Sequence, residues 1–230
     1  MRNRVYFYIT FNDKIVNLIF SDIISKINNH GLYDNCDKIN LCVAGDINLM
    51  DRELLNGKDK YNLIQVRNSY EYDAIKMIWD DCQLEDINVC YIQGKGVRRP
   101  GDERANDWRN YMAYFNIEKW SDRVSNLLEY DCTGVNLGGN RMDYNEHPST
   151  WGYGKAPIHY SGNFWWSKSS HIKKLKDPYL FWPDMNFERW RVLPEMWVCQ
   201  VEDAKYHCAW SSGVNHYVSL YPRHLYDNKN

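Results

Sequence analysis

The feature that most restricts what this chain can fold into is the alternation, through its first 136 residues, of short β-forming runs with amphipathic stretches. Residues 5–10, Val-Tyr-Phe-Tyr-Ile-Thr, are rich in β-formers. From Asp13 the apolar residues Ile15, Val16, Leu18, Ile19, Phe20, Ile23, Ile24 and Ile27 recur at helical spacing and stop at Gly31. Residues 39–44 read as a second strand halted at Gly45, residues 61–66 as a third, and residues 88–92 as a fourth that ends abruptly at Gln93-Gly94-Lys95-Gly96. Between the third and fourth, Asn68 with Glu71 three residues later has the form of a helix-start box, and Ile75, Ile78, Trp79 and Cys82 share one face of the helix it would open. Two further helical stretches, 106–115 and 117–130, precede a fifth strand at 132–136, with Trp120, Val124, Leu127 and Leu128 on the face expected to be buried. Strands and helices taking turns in this way predict an α/β class, a sheet covered by helices, with ligands bound beyond the carboxyl ends of the strands.

After Leu137 the texture changes. Gly138-Gly139-Asn140 opens a polar stretch to Pro157 that reads as a long loop, residues 158–167 read as β structure, Ser169 is placed to cap a short helix through Leu175, and Pro194 to begin another. The change divides one domain into halves over 1–137 and 138–230, with only the tail from Asp227 to Asn230 expected to fray.

Composition narrows the function classes. The 230 residues carry 28 Lys and Arg against 30 Asp and Glu, a net charge of -2 that gives no concentrated basic face for a nucleic-acid partner. No run approaches the roughly 18 apolar residues of a membrane span, so a soluble, cytoplasmic protein is expected. Seven cysteines, none paired at the spacing of a zinc or redox motif, suggest free and mostly buried thiols. Ten Trp and eighteen Tyr are the unusual number, because an apolar plane with a polar tip serves sugar- and base-binding faces as well as cores.

Four local patterns could carry chemistry. In residues 159–167, His-Tyr-Ser-Gly-Asn-Phe-Trp-Trp-Ser, Gly162 permits close backbone approach and Asn163 offers both a donor and an acceptor. Trp165 and Trp166 must point to opposite faces of a strand, one expected in the core and the other at the cleft. In residues 91–99 a strand end delivers Lys95 between Gly94 and Gly96, followed by Arg98 and Arg99, a combination suited to anionic oxygens although not a Walker loop. Asp107-Trp108-Arg109 lies near a helix start, and Glu195 is a carboxylate among apolar neighbours that could accept a proton from a hydroxyl. The histidines show no metal-binding spacing.

Taken in order, these segments resemble a family of glycosyltransferase-like proteins found in surface-glycan gene sets of bacteria and large DNA viruses. The resemblance rests on Tyr91-Ile92-Gln93-Gly94-Lys95-Gly96-Val97, on Asp107-Trp108-Arg109 and its aromatic continuation through Tyr114-Phe115, on His159 through Trp166, and on Glu195-Met196-Trp197. Two departures stand out: Gln93-Gly94 replaces a His-Thr pair, and Tyr160 replaces Phe. The resemblance implies a GT-A-like, Rossmann-type mixed sheet that binds a nucleotide-sugar, with a UDP-sugar as donor, a glycan hydroxyl as acceptor, and host cytoplasm as the location if the source is viral. It also implies roles: Glu195 as the base of an inverting transfer, Lys95 and Arg109 as cations against the diphosphate, and Gly94 and Gly96 as the turn around them. Thr10 and Asn12 would touch the nucleobase, Asn163 and Trp165 would line the sugar site, and His159 and Trp166 would face the acceptor. The Asp-x-Asp that commonly holds Mn or Mg is absent. Its nearest substitutes are Asp51-Arg52-Glu53, Glu71-Tyr72-Asp73 and Glu129-Tyr130-Asp131, so neutralisation by protein cations is expected and a metal with the donor stays open. Two other classes also stay open: a non-catalytic carbohydrate-binding module, and a glycoside hydrolase, which needs two carboxylates facing one cleft.

Overall fold

The computed structural model describes residues 1–68, 70–139, 156–181 and 193–227. Strands β1 (Arg2–Phe11), β2 (Lys38–Gly45), β3 (Tyr61–Gln65) and β4 (Ile87–Gln93) run parallel in one sheet. Strands β5 (Cys132–Gly134), β8 (Trp165–Lys168) and β9 (Tyr206–Cys208) extend it to seven, in the order β3-β2-β1-β4-β8-β5-β9. β8 runs antiparallel to both of its neighbours, which makes the sheet mixed. The expected class, a Rossmann-type mixed α/β sheet flanked by helices, is the one found. A separate two-stranded ladder joins β6 (Leu137–Gly138) to β7 (His159–Tyr160).

The central strands are nearly continuous apolar runs because both faces are covered. Val5, Phe7, Ile9 and Phe11 of β1 meet Ile19, Phe20, Ile23 and Ile27 of helix α1 (Val16–Asn29). Tyr6 and Tyr8, between them in sequence, point the other way towards Ile75, Ile78 and Cys82 of helix α2 (Tyr72–Leu84). Each such aliphatic or aromatic side chain contributes roughly 1.5–3 kcal/mol when fully buried.

Several local expectations are revised. The helix-start box does not form: Glu71 precedes α2 without any side-chain cap, because its carboxyl is turned inward to Tyr91 and Asn163. Helix α3 (Glu103–Ala113) starts earlier than expected, at a cap in which Asp102 accepts from the backbone N–H groups of Arg104 and Ala105. It runs into a π-helical turn, Tyr114–Glu118, and then α4 (Trp120–Asn126). Leu127 is buried but Leu128 is 86% exposed, since the short α4 ends before a second apolar row can reach the core. The stretch 158–167 is not one strand: β7 and β8 are separated by a turn in which Gly162 (φ +92°) and Asn163 (φ +58°) are both left-handed. The hydroxyl expected to cap a helix at Ser169 accepts instead from the Ile87 backbone N–H, and α5 (Ser169–Ile172) is correspondingly short. Most of the long loop read after Leu137, and the last three residues of the tail, lie outside the described residues.

α6 (Pro178–Phe181) and α7 (Leu193–Trp197) pack on the α2 side of the sheet, with Phe181, Leu193 and Trp197 in that core. All seven cysteines are free thiols and six are buried. No described helix is long and apolar enough to cross a membrane.

Trp165 and Trp166 do point to opposite faces of β8, yet neither reaches a cleft. Each is fully buried, Trp165 in the α2-side core and Trp166 in the α1-side core, because helices cover both faces at this strand. The acceptor-facing role expected of Trp166 and the sugar-lining role of Trp165 are therefore corrected to packing. Trp166 also donates its indole N–H to the Asn116 carbonyl at 2.9 Å, inside the π-helical turn. Trp166→Ala is expected to cost about 3–5 kcal/mol in urea unfolding, as large-to-small changes at fully buried aromatics do; a loss below about 1 kcal/mol would show that the site is not sealed.

Candidate functional site

The strand order creates the site. The chain steps from β1 to β2 to β3 in one direction, then α2 carries it back so that β4 lies on the other side of β1. The crevice at the carboxyl ends of β1 and β4 is the switch point at which open α/β sheets bind ligands. A cavity of about 460 Å³ occupies it. Tyr8, Ile9 and Thr10 of β1, with Asn12 just beyond, form one wall, and Gln93 with the turn 94–99 forms the next. Asn68, Tyr70 and Glu71 enter from the connection between β3 and α2, Glu195 from α7, and Tyr217 from the C-terminal segment.

The turn is built to hold a lysine. The Gly94 N–H donates to the Tyr8 carbonyl at 2.7 Å, and a Cβ at Gly94 would lie 2.8 Å from Ile9 Cγ1, so only glycine lets β4 end this close to β1. Gly96 adopts φ +98° and reverses the chain. Lys95 Nζ then sits 3.7 Å from the centroid of the Trp108 ring and 5.7 Å from that of Tyr217. Among the described residues it makes no hydrogen bond or ion pair. Burial pulls the Lys95 pKa below its ordinary value, and the nearby Glu195 and Glu71 push it back up. Arg98 lies 4.8 Å over the Tyr70 ring and is likewise without an ion pair among the described residues, whereas Arg99 pairs with Asp102 at 3.1 Å.

Arg109, expected to face the diphosphate, is instead a brace beneath the turn. Its Nη1 donates to the Lys95 carbonyl at 3.0 Å and to Asn106 Oδ1 at 3.1 Å, its Nε lies 3.5 Å from Asp22 Oδ2, and it does not line the cavity. The whole Asp107-Trp108-Arg109 element has this character. Asp107 accepts from the Tyr221 backbone N–H and so anchors the C-terminal segment, Trp108 supports the Lys95 ammonium, and Arg109 fixes the Lys95 backbone.

Among the described residues, Glu71 and Glu195 are the two carboxyls that line the cavity. Glu71 is 7% exposed, and its Oε2 accepts from the Tyr91 hydroxyl at 2.8 Å and from Asn163 Nδ2 at 2.5 Å. Burial and then the neighbouring Glu195 push its pKa up to about 7; the hydrogen bonds from Tyr91 and Asn163 and the Lys95 charge oppose that shift. Asn163 itself is fully buried and receives the Trp165 indole N–H on Oδ1 at 2.8 Å. It therefore reaches the cavity only through Glu71, a correction to its expected contact with a sugar. Close approach at Gly162 is also made by the protein and not by a ligand, since a Cβ there would collide with Met112 Sδ. The Gly162 N–H lies 3.5 Å from Glu195 Oε2, and its carbonyl accepts from Gln93 Nε2 at 2.9 Å. His159 bonds the Pro157 carbonyl through Nδ1 at 2.8 Å in the small ladder, away from the cavity lining.

Of the expected site residues, the structure thus brings together Thr10, Asn12, Gly94, Lys95, Gly96 and Glu195, and leaves Arg109, Asn163, Trp165, Trp166 and His159 outside the lining. Reading the sequence offered Glu71 only within a substitute for Asp-x-Asp and not as a carboxyl beside Lys95, because its spacing from Asn68 spoke for a helix cap. Tyr8, Tyr70 and Tyr217 carried no local signal at all.

The substitutes for Asp-x-Asp do not make a cation site. Asp73 accepts from Arg67 and from the Tyr179 hydroxyl, Asp131 pairs with Lys168, and Asp51 caps a short 3-10 turn. Among the described residues no three His, Cys, Asp or Glu side chains are grouped to hold a metal.

The model of a family described as a domain of unknown function, DUF8361, matches residues 50–218, most of the chain and all of the described cavity lining except its β1 wall. The chain belongs to the DUF8361 family. No curated protein matches it. Among solved structures, the DUF8361 chain is similar to the 4-diphosphocytidyl-2C-methyl-D-erythritol synthase of Anaerococcus prevotii, with 10% identity over 97% of this chain and 94% of that one and a TM-score of 0.49. A cytidylyltransferase from Leptospira borgpetersenii gives 13% identity over 96% and 76% with a TM-score of 0.43, and Rv0371c from Mycobacterium tuberculosis gives 7% over 93% and 91% with 0.44. None of the three reaches a TM-score of 0.5, and the fold assignment rests on strand order and register.

In this DUF8361 protein the raised Glu71 pKa has a consequence for stability. The unfolded chain loses the Glu71 proton near the ordinary value of 4.5, while the folded chain keeps it to about 7. Between those values the folded state binds more protons, so this group makes stability fall as pH rises through that window. Glu71→Gln is expected to flatten that decline and to be the more stable protein above about pH 7, by up to about 3 kcal/mol. Urea unfolding of both proteins at about pH 4.5 and about pH 7.5 measures it, and identical pH dependence in the two would refute the assignment.

Proposed function

We propose that this DUF8361 protein is a glycosyltransferase that takes a sugar from a nucleotide-sugar, with UDP as the carrier, and passes it to a hydroxyl of a glycan acceptor. One observation supports the reading: at the β1/β4 switch point a single glycine-bounded turn presents Lys95 and Arg98, neither in an ion pair among the described residues, to a cavity that Glu71 and Glu195 also line. A cavity that offers both cations and carboxyls suits a ligand with an anionic group and a reacting hydroxyl.

The chemistry divides accordingly. The diphosphate lies against Lys95 and Arg98, which take up the charge that develops on the leaving phosphate oxygen as its bond to the anomeric carbon breaks. The acceptor oxygen forms the new bond from the opposite face while Glu195 receives its proton, so the transfer inverts the anomeric centre. Thr10 and Asn12, at the far end of the cavity wall, contact the nucleobase. The buried Arg109 enters only by fixing the Lys95 carbonyl, so its loss is felt through the turn.

The two glutamates in one cavity also favour a second reading, a glycoside hydrolase with a carboxyl pair. Hydrolysis does not require unpaired cations at the switch point, which is why transfer from a nucleotide-sugar is preferred. Release of sugar from an oligosaccharide without any nucleotide would reverse that preference.

Calorimetric titration with UDP, GDP and CMP, each with manganese and then with EDTA, is the deciding experiment. Selective UDP binding that survives EDTA is expected, with Lys95→Met lowering affinity by about ten- to a hundredfold, the cost of a charge-assisted contact. Binding that requires manganese would turn attention to the carboxyls. Absence of nucleotide binding under both conditions would favour a carbohydrate-binding module. Glu195→Gln is expected to abolish transfer while nucleotide affinity changes less than about threefold, since its carboxyl faces the acceptor and makes no contact with the phosphates; lost binding with retained transfer would remove Glu195 from the base role.

A further inference from the structure

A buried carboxyl that serves only the fold normally has both of its oxygens occupied by donors. Glu71 does not. Tyr91 and Asn163 both donate to the same oxygen, Oε2, and no described donor reaches Oε1. Oε1 is also not among the buried polar atoms sealed without a partner, although the residue as a whole is 7% exposed. For a residue that lines the cavity, the open oxygen is the one the cavity reaches.

The framework behind Oε2 is rigid. Asn163 is held at φ +58° in the turn between β7 and β8, and its amide orientation is fixed because Oδ1 takes the Trp165 indole N–H, leaving Nδ2 for Glu71. Trp165 packs against Tyr91 at 5.3 Å and Trp197 at 6.5 Å between ring centroids. Within the aromatic element of residues 159–167, Asn163 and Trp165 therefore hold this carboxyl in place.

We infer that Glu71 is a substrate-contacting residue that takes a ring hydroxyl of the donor's sugar on Oε1, with Tyr91 and Asn163 as the residues that position it. The inference rests on the proposed nucleotide-sugar reading. A phosphate does not suit Oε1 itself, since an anion is repelled by a carboxylate oxygen, whereas Lys95 and Arg98 carry the charge that attracts one. A sugar hydroxyl is neutral and can donate to a carboxylate, which makes it the part of the donor that fits. The groups facing Glu71 are Tyr8 from β1, Tyr91 from β4, Lys95 from the turn, Asn163 from the β7–β8 turn, Glu195 from α7, and Tyr72 on its own helix. Ionisation of Glu71 within this set strengthens the bond to a hydroxyl, so the sugar's contribution to affinity rises with pH through neutrality.

The test compares UDP with UDP-glucose, UDP-galactose and UDP-N-acetylglucosamine by calorimetry on the full chain, for the wild type, Glu71→Gln and Tyr91→Phe. For at least one sugar, Glu71→Gln is expected to lower the ratio of UDP-sugar to UDP affinity by about tenfold or more while UDP affinity itself stays within about twofold, the loss expected of a hydrogen bond to a charged group. Tyr91→Phe removes one donor that favours the carboxylate, so the midpoint of the ratio's pH dependence should move upward, which a purely structural tyrosine would not cause. Unchanged ratios for all three sugars in Glu71→Gln, with UDP still bound, overturn this inference and leave the nucleotide-sugar reading standing. A wild type that binds no UDP overturns both.

Discussion

The functional face of this protein depends on how the end of β4 is tied down. Three hydrogen bonds from separate parts of the chain converge there: Gly94 N–H to the Tyr8 carbonyl of β1, Gln93 Nε2 to the Gly162 carbonyl of the β7–β8 turn, and Arg109 Nη1 to the Lys95 carbonyl from α3. Each would be a modest interaction alone, about 1 kcal/mol net. Together they join the end of β4 to β1, to the β7–β8 turn and to α3, and the Lys95 ammonium lies over the Trp108 face. Gly94 and Gly96 are the residues that make this geometry sterically open, the first by contact with Ile9 and the second by its left-handed backbone.

That tie also explains why charge can be buried in the cavity. An ammonium beside two carboxyls is tolerable in a low-dielectric crevice only when the three positions are held relative to one another, because desolvation is offset by attraction that falls with distance. Lys95 is drawn down in pKa by burial while Glu71 is drawn up, the pattern of a site in which groups of opposite sign share little water. The stability lost by keeping Glu71 buried is the kind of strain that functional sites carry and structural cores avoid.

Much of the site was legible in residue order, but through its backbone more than its side chains. The Gly-Lys-Gly turn and the β1 terminus stood out because strand ends and glycine turns have local signatures, and Glu195 because it is a carboxylate among apolar neighbours. Arg109 and the pair Trp165 and Trp166 were placed in the wrong setting for a common reason: the pattern shows that a residue lies on a given face of an element, not what covers that face. Trp165 and Trp166 point to opposite faces as expected, but helices lie over both, and the π-helical turn takes the Trp166 indole N–H. Glu71 was obscured by a competing local explanation, since a helix cap and an inward-turned cavity carboxyl occupy the same place in sequence.

The sequence by itself determined the order of strands and helices, the two-faced burial of β1, and the position of the cationic turn, because side-chain periodicities of about 2 and about 3.6 and the steric freedom of glycine act between near neighbours. Tertiary structure alone decided which charged groups share the cavity and in what state. Glu71 is held by Tyr91, 20 residues away along the chain, and by Asn163, 92 residues away. A buried group's ionisation is set by whatever the fold brings within a few ångströms of it, and no local pattern encodes that.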